Sequence, residues 1–160
     1  MGEYPPRDHR SIRKTMIQLY QCKVVYERQT EHGVSRVNEC YLVDAQSHTE
    51  AETVITQYIT PMVALGELVI PSIQAVRYEE LLLENQNPCG VYWKAKLIRY
   101  ELSEKDGRSK ALALYYLIEG KSLMYAAQQL ANALSGSTDD ICIVQLSQTK
   151  ILDILSYVRP

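Results

Sequence analysis

The chain opens its patterned region with a two-residue alternation. From Ile17 to about Arg28, Cys22, Val24 and Tyr26 fall on one side and Lys23, Val25 and Glu27 on the other. This is the period of a strand. The polar stretch Gln29–Ser35, with Gly33, turns the chain, and Val37–Asp44 reads as the second arm of a hairpin. The period then changes. Ala51, Val54, Ile55, Tyr58 and Ile59 form one apolar face of a helix. Ser47 is placed to cap it, with Glu50 completing a capping box, and Pro61 ends it. Leu65–Tyr78 contains Leu68, Val69, Ile70, Ile73 and Val76, interrupted by Gly66 and Pro71. That pattern predicts an edge strand bulged at the proline.

The order then repeats. Val91–Glu101 is a strand, Lys105-Asp106-Gly107 a turn, and Ser109–Glu119 the next strand. Its core, ALALYYLI, is apolar on both faces and belongs in the centre of a sheet. Ser122 caps a second helix whose buried stripe is Leu123, Ala126, Ala127, Leu130 and Leu134, with Gly136 just past its end. Asp140–Ser147 is a closing strand, and Ile151–Val158 reads as a further short strand or a turn of helix.

Tyr41–Ile59, YLVDAQSHTEAETVITQYI, aligns without a gap with Tyr116–Leu134, YLIEGKSLMYAAQQLANAL. Ser72-Ile73-Gln74 echoes Ile143-Val144-Gln145. The expectation is an α+β fold made of a duplicated β-β-α-β unit, with the two helices packed on one side of a mainly antiparallel sheet. Residues 1–16 form a polar arm, 17–84 the first unit, 85–90 a linker and 91–160 the second unit. One such unit buries only one face of a three-stranded sheet, and two together can share a core.

Composition narrows the class of function only a little. The formal charge of −2 gives no global attraction for nucleic acid or acidic membranes. Twelve tyrosines and no phenylalanine mean that tyrosine fills the aromatic core positions, its hydroxyls seeking partners. Cys22, Cys40, Cys89 and Cys142 include no close pair. They read as reduced thiols of a cytoplasmic protein. No apolar run approaches a membrane span, and no membrane partner is expected.

The motifs CKVVYE, ECYLVDAQSHTEAE and IQAVRYEELL resemble an uncharacterised domain family of Bacteroides-group bacteria and their phages. The resemblance covers about residues 20–155, most specifically in the YLVDAQSHTEAE stretch and more loosely in the second unit. The N-terminal arm departs from the family pattern, in which the first strand begins almost at the start. The resemblance implies no activity and no functional residues.

Candidate chemistry is sparse. His9, His32, His48 and the four cysteines lack zinc-ligand spacing, so no metal or cofactor is expected. His48 sits in the first helical turn, and Leu123 stands at the matching place in the second unit. Glu79-Glu80 and Asp139-Asp140 are adjacent, so on a strand they point apart. Gly120-Lys121-Ser122 has the end of a phosphate loop without its upstream glycine. No catalytic set converges. The one surface with binding character is the strand face carrying Tyr92, Lys94, Lys96 and Tyr100, aromatics interleaved with cations. Its parity points Trp93 inward with Ala95 and Leu97, and Tyr92 outward. The reading is a non-enzymatic binding module for a protein or small molecule, phage- or mobile-element-associated by resemblance. The alternatives are a single-stranded nucleic-acid binder, or a small hydrolase or nucleotide-processing enzyme with its site between the two units.

Overall fold

Ile17–Thr30 (β1) and Gly33–Val43 (β2) pair antiparallel in unbroken register, Tyr20 opposite Val43 and Thr30 opposite Gly33. The tight turn requires a left-handed residue, and Gly33 supplies it at φ 106°. The structure, a computed structural model, describes residues 16–84 and 88–156. All but the last residue of the proposed arm, and linker residues 85–87, lie outside the described residues.

Helix α1 (His48–Ile59) begins at Ser47, whose hydroxyl accepts from the Glu50 N–H at 3.1 Å. The Glu50 carboxylate accepts in return from the Gln46 N–H at 3.0 Å, one residue before the expected reciprocal partner. Pro61 sits in a 3-10 turn, Thr60–Met62, that follows directly. The chain returns as β3 (Leu65–Tyr78), antiparallel to β1 and at the sheet edge. Ser72 lies opposite Lys23 and Val69 opposite Val25, so the register slips across Ile70–Pro71. Proline has no N–H for the ladder, and an edge bulge is where it fits.

The second run follows the same order: β5 (Tyr92–Leu102), β6 (Ser109–Glu119), α2 (Leu123–Leu134) and β7 (Ile141–Gln148). Ser122 caps α2 by accepting from the Tyr125 N–H at 3.1 Å. Two short strands tie the runs together. β4 (Glu80–Leu82) leaves the first run and pairs parallel with β6. β8 (Ile151–Leu155) leaves the second and pairs parallel with β2. The sheets therefore read β3-β1-β2-β8 and β4-β6-β5-β7. Each sheet is closed on one edge by a strand from the other half.

This α+β arrangement corrects the expectation of a single sheet with both helices on one side. There are two sheets, both mixed, and three packed cores. Ala51, Ile55 and Ile59 of α1 cover Tyr20, Cys22, Val24 and Tyr26 of β1. Ala126 and Leu130 of α2 cover Trp93, Ala95, Leu97 and Tyr116 of the second sheet. Between the sheets lie Leu19, Leu42, Tyr78, Ile151 and Ile154 against Tyr92 and Leu117. The reason is the two-sided burial of β2 and β6. Leu42 and Leu117 are 0% exposed on the face away from the helices. Only a second sheet covers that face.

The pairing also corrects the echo between closing strands. Tyr41 lies opposite Cys22, which lies opposite Ile73. Tyr116 lies opposite Ala95, which lies opposite Leu146. Ile73 thus corresponds to Leu146, two residues beyond Val144. Leu146 packs on the second helical core, whereas Val144 is exposed.

The crossing between halves is held by a buried carboxylate. Glu119, 1% exposed, accepts from the Glu84 N–H at 2.9 Å, the Cys89 N–H at 3.2 Å and the Gly90 N–H at 3.4 Å. Truncating such a group leaves its part-buried donors without their acceptor. Glu119→Ala is expected to lower unfolding free energy by roughly 3 kcal/mol, read as a drop in urea midpoint at constant slope. A midpoint equal to wild type would show that the crossing holds without it.

Burial also sets the alkaline limit. It raises the Cys22 thiol from 9.0 to about 11, the negative field of Cys40 adding to it. It raises the Tyr78 phenol from 10.0 to about 12. Tyr26 and Tyr41 shift upward too, for burial first and then for their contacts with the Glu39 carboxylate. A raised acid stays protonated in the fold after the unfolded chain has lost its proton. Stability is full below the unfolded values and falls as pH rises from about 9 to about 12. Guanidinium midpoints across this range are expected to decline, with Tyr78→Phe flattening the upper part of the slope.

Candidate functional site

Alternation on β1 points Leu19, Gln21, Lys23 and Val25 toward the second sheet. Leu19 is fully buried, but Lys23 is exposed, so the middle core stops partway along the strand. On β2 the same face carries Asn38, Cys40 and Leu42, polar again away from the core. A cavity of about 530 Å³ opens where the apolar contact ends. Gln21, Lys23, Asn38 and Cys40 form one wall, with Pro71 and Tyr78 of β3. Lys94 of β5 reaches in from the facing sheet, and Thr149, Lys150 and Ile151 close the side.

The sheet register fixes the spacing of the lysines. Lys23 lies opposite Cys40, and Cys40 lies beside Ile151 of β8. Lys23 and the Lys150–Ile151 step are thus two strands apart, about 10 Å at the usual interstrand spacing. Facing sheets also stand about 10 Å apart. The Lys94 ammonium sits 4.7 Å from the centre of the Tyr115 ring, a cation–π contact. Lys150 is placed by its neighbour. Both the N–H and the hydroxyl of Thr149 donate to the Tyr92 carbonyl at 2.8 Å, and the hydroxyl accepts from the Ile151 N–H at 3.3 Å.

Three lysines and one acidic residue, Glu39, line the cleft. Among the described residues no carboxylate lies within ion-pair distance of Lys23, Lys94 or Lys150; the pairs formed are Arg28–Glu39 and Arg99–Glu101. Glu39 turns its side chain to the opposite face, where it accepts from the hydroxyls of Tyr26 and Tyr41. Titratable residues line the cleft from both halves: Lys23, Glu39, Cys40 and Tyr78 from one, Lys94 and Lys150 from the other. Burial pushes the Cys40 thiol up, the Lys23 ammonium opposing it, and lifts Tyr78 to about 12. Neither group is poised for proton transfer near neutrality.

The face predicted from the second unit divides. Tyr92, Lys94 and Lys96 do share the side toward the first sheet, but Tyr92 is 1% exposed and belongs to the middle core. Its expected outward position is corrected, because the first sheet covers that end of β5. Lys94 lines the cavity, Lys96 is half-buried further along β5, and Tyr100 is exposed. Trp93 packs on the α2 side, its indole N–H donating to the Gly120 carbonyl at 2.8 Å. Sequence reading missed Lys23, Lys150, Gln21 and Asn38. The available signal was Lys23, a charge on the same strand face as the fully buried Leu19.

A smaller cavity, about 350 Å³, lies at the start of α2 among Glu84, Cys89, Gly120, Lys121 and Tyr125. Here Gly120 is explained by packing rather than by phosphate. A Cβ on it would stand 2.6 Å from the Tyr125 ring, and Tyr125 donates its hydroxyl to Glu84. Among the described residues no three His, Cys, Asp or Glu are grouped to hold a metal, and no helix is long and apolar enough to cross a membrane.

Fold and site together define an α+β protein whose two mixed sheets enclose a cationic cleft. The chain belongs to a family described as a domain of unknown function, DUF4494, whose model matches residues 18–157. No curated protein and no solved structure matches it.

The four free thiols differ in access: Cys142 is exposed, Cys89 half-buried, and Cys22 and Cys40 buried. Titration with a chromogenic disulfide at pH 8 is expected to show one fast thiol, removed by Cys142→Ser, and one slower. Two more are expected to react only on denaturation. A fast phase that survives Cys142→Ser and disappears with Cys40→Ser would show the cleft to be wider than described.

Proposed function

We propose that the chain is a non-enzymatic binding module whose ligand is an anion held in the cleft between the sheets. The observation that carries this reading is the set of three lysines, drawn from both sheets and paired with no carboxylate among the described residues. Water and counter-ions satisfy them in the free protein, and an anion replaces these at a gain. Binding is favoured over hydrolysis because the thiol and phenol that accompany the lysines are both shifted away from neutral pH. The two halves descend, on this reading, from one duplicated unit. The likeness of Tyr41–Ile59 to Tyr116–Leu134 and the reciprocal strand orders support that. The motif resemblance supports a role in Bacteroides-group bacteria, their phages or mobile elements, in the cytoplasm.

A second reading is a single-stranded nucleic-acid binder. It is favoured by Lys94, Lys96 and the exposed Tyr100, which follow one another along one face of β5. There Tyr100→Ala would lower oligonucleotide affinity by roughly 1–3 kcal/mol, the worth of one stacked base.

Thermal unfolding at low salt, with small phosphates, polycarboxylates, neutral sugars and short oligonucleotides as additives, separates these readings. Anions are expected to raise the melting temperature and sugars to leave it unchanged. The Lys23→Gln/Lys94→Gln/Lys150→Gln variant is expected to lose the response. A rise confined to oligonucleotides and abolished by Tyr100→Ala would establish the second reading. No rise with any anion would remove both.

A further inference from the structure

We infer that the anion is a phosphate chain, free or carried by a nucleotide, gripped by Lys23, Lys94 and Lys150 together; this rests on the cleft being the binding site. The first support is the kind of cation. Every cationic side chain lining the cleft is lysine, and none is arginine. Arginine's rigid fork matches a flat pair of oxygens on carboxylate or phosphate alike, whereas lysine, also a customary phosphate ligand, acts as a compact point charge on a flexible stem. Three such charges suit an anion with several charged oxygens spread in three dimensions.

The second support is placement. The row Lys23–Cys40–Ile151 runs across three neighbouring strands, so Lys23 and Lys150 flank the buried Cys40 from either side. Lys94 faces them from the other sheet. The three backbones surround one volume from three directions. A single flat carboxylate cannot meet all of them, but a chain of two or three phosphates can. Asn38 and Gln21, on the same wall with their backbones paired in the sheet, carry side-chain amide donors for the remaining oxygens. The cavity, about 530 Å³, lies within the usual range for a small-molecule site.

Titration calorimetry on the full chain at low salt tests this with four probes: sodium tripolyphosphate, ATP, citrate and adenosine. Tripolyphosphate is expected to bind one per chain, with citrate roughly tenfold weaker and adenosine silent. Lys23→Gln, Lys94→Gln and Lys150→Gln are each expected to weaken it roughly tenfold, the worth of one charge-assisted hydrogen bond. Lys110→Gln, on β6 and not lining the cleft, is expected to leave it unchanged. All four side chains are exposed, so their substitution spares the core. ATP binding more tightly than tripolyphosphate would assign the chain to a nucleotide, and equal affinity to free phosphate. Citrate binding as well as tripolyphosphate would overturn the phosphate assignment while leaving an anion site in place. Phosphate binding insensitive to the three lysines would overturn it by moving the site elsewhere. Silence from every anion would overturn the anion reading itself. An oligonucleotide of matched charge binding the same lysines far more tightly than tripolyphosphate would overturn the small-molecule assignment in favour of a strand.

Discussion

The structure depends on the burial of β2 and β6 from both sides. On each strand alternate residues face a helix and the others face the opposite sheet, and both sets are apolar near the strand end. Leu42 and Leu117 stand at the middle of the inter-sheet layer. Burying each such side chain is worth roughly 1.5–3 kcal/mol. A single half of the molecule, with its helix on one side, would leave that layer in water. The halves are therefore obligate partners within one chain.

The exchange of short strands follows from the same constraint. Without β8, β2 would present an open edge beside its most apolar segment, and without β4, β6 would do so. Open apolar edges invite pairing with other chains. Here each is covered by a strand from the other half, parallel because the crossing segment returns in the same direction. The crossing is costly to order, and polar contacts offset that cost. Glu119 gathers backbone donors on one crossing, and Thr149 bonds the Tyr92 carbonyl on the other.

The cleft is a by-product of this architecture. The two sheets touch where their strands are apolar and part where Gln21, Lys23, Asn38 and Lys94 replace apolar residues. The β7–β8 crossing then brings Thr149 and Lys150 to the opening. A site so formed draws residues from distant parts of the chain, and its charge balance differs from that of the molecule. The chain carries a formal −2, yet lysines outnumber carboxylates in the cleft lining three to one, and that one, Glu39, is engaged by Tyr26, Tyr41 and Arg28.

What the sequence determined by itself was local. The period of two placed β1 and its faces, the period of 3.6 placed both helices, and Ser47 and Ser122 marked their caps. Pro71 marked the bulged edge, and ALALYYLI marked a central strand. Each of these is set by a residue and its near neighbours. The division into two sheets, the exchange of β4 and β8, and the burial of Tyr92 were decided only by tertiary structure. Strand alternation says which residues share a face but not what lies against it. Tyr92 and Lys94 share one face, and only the position of the other sheet makes the first a core residue and the second a wall of the cleft. Lys23 and Lys150 are far apart in the chain. They line one cleft because β8 pairs parallel with β2, which lies between β1 and β8.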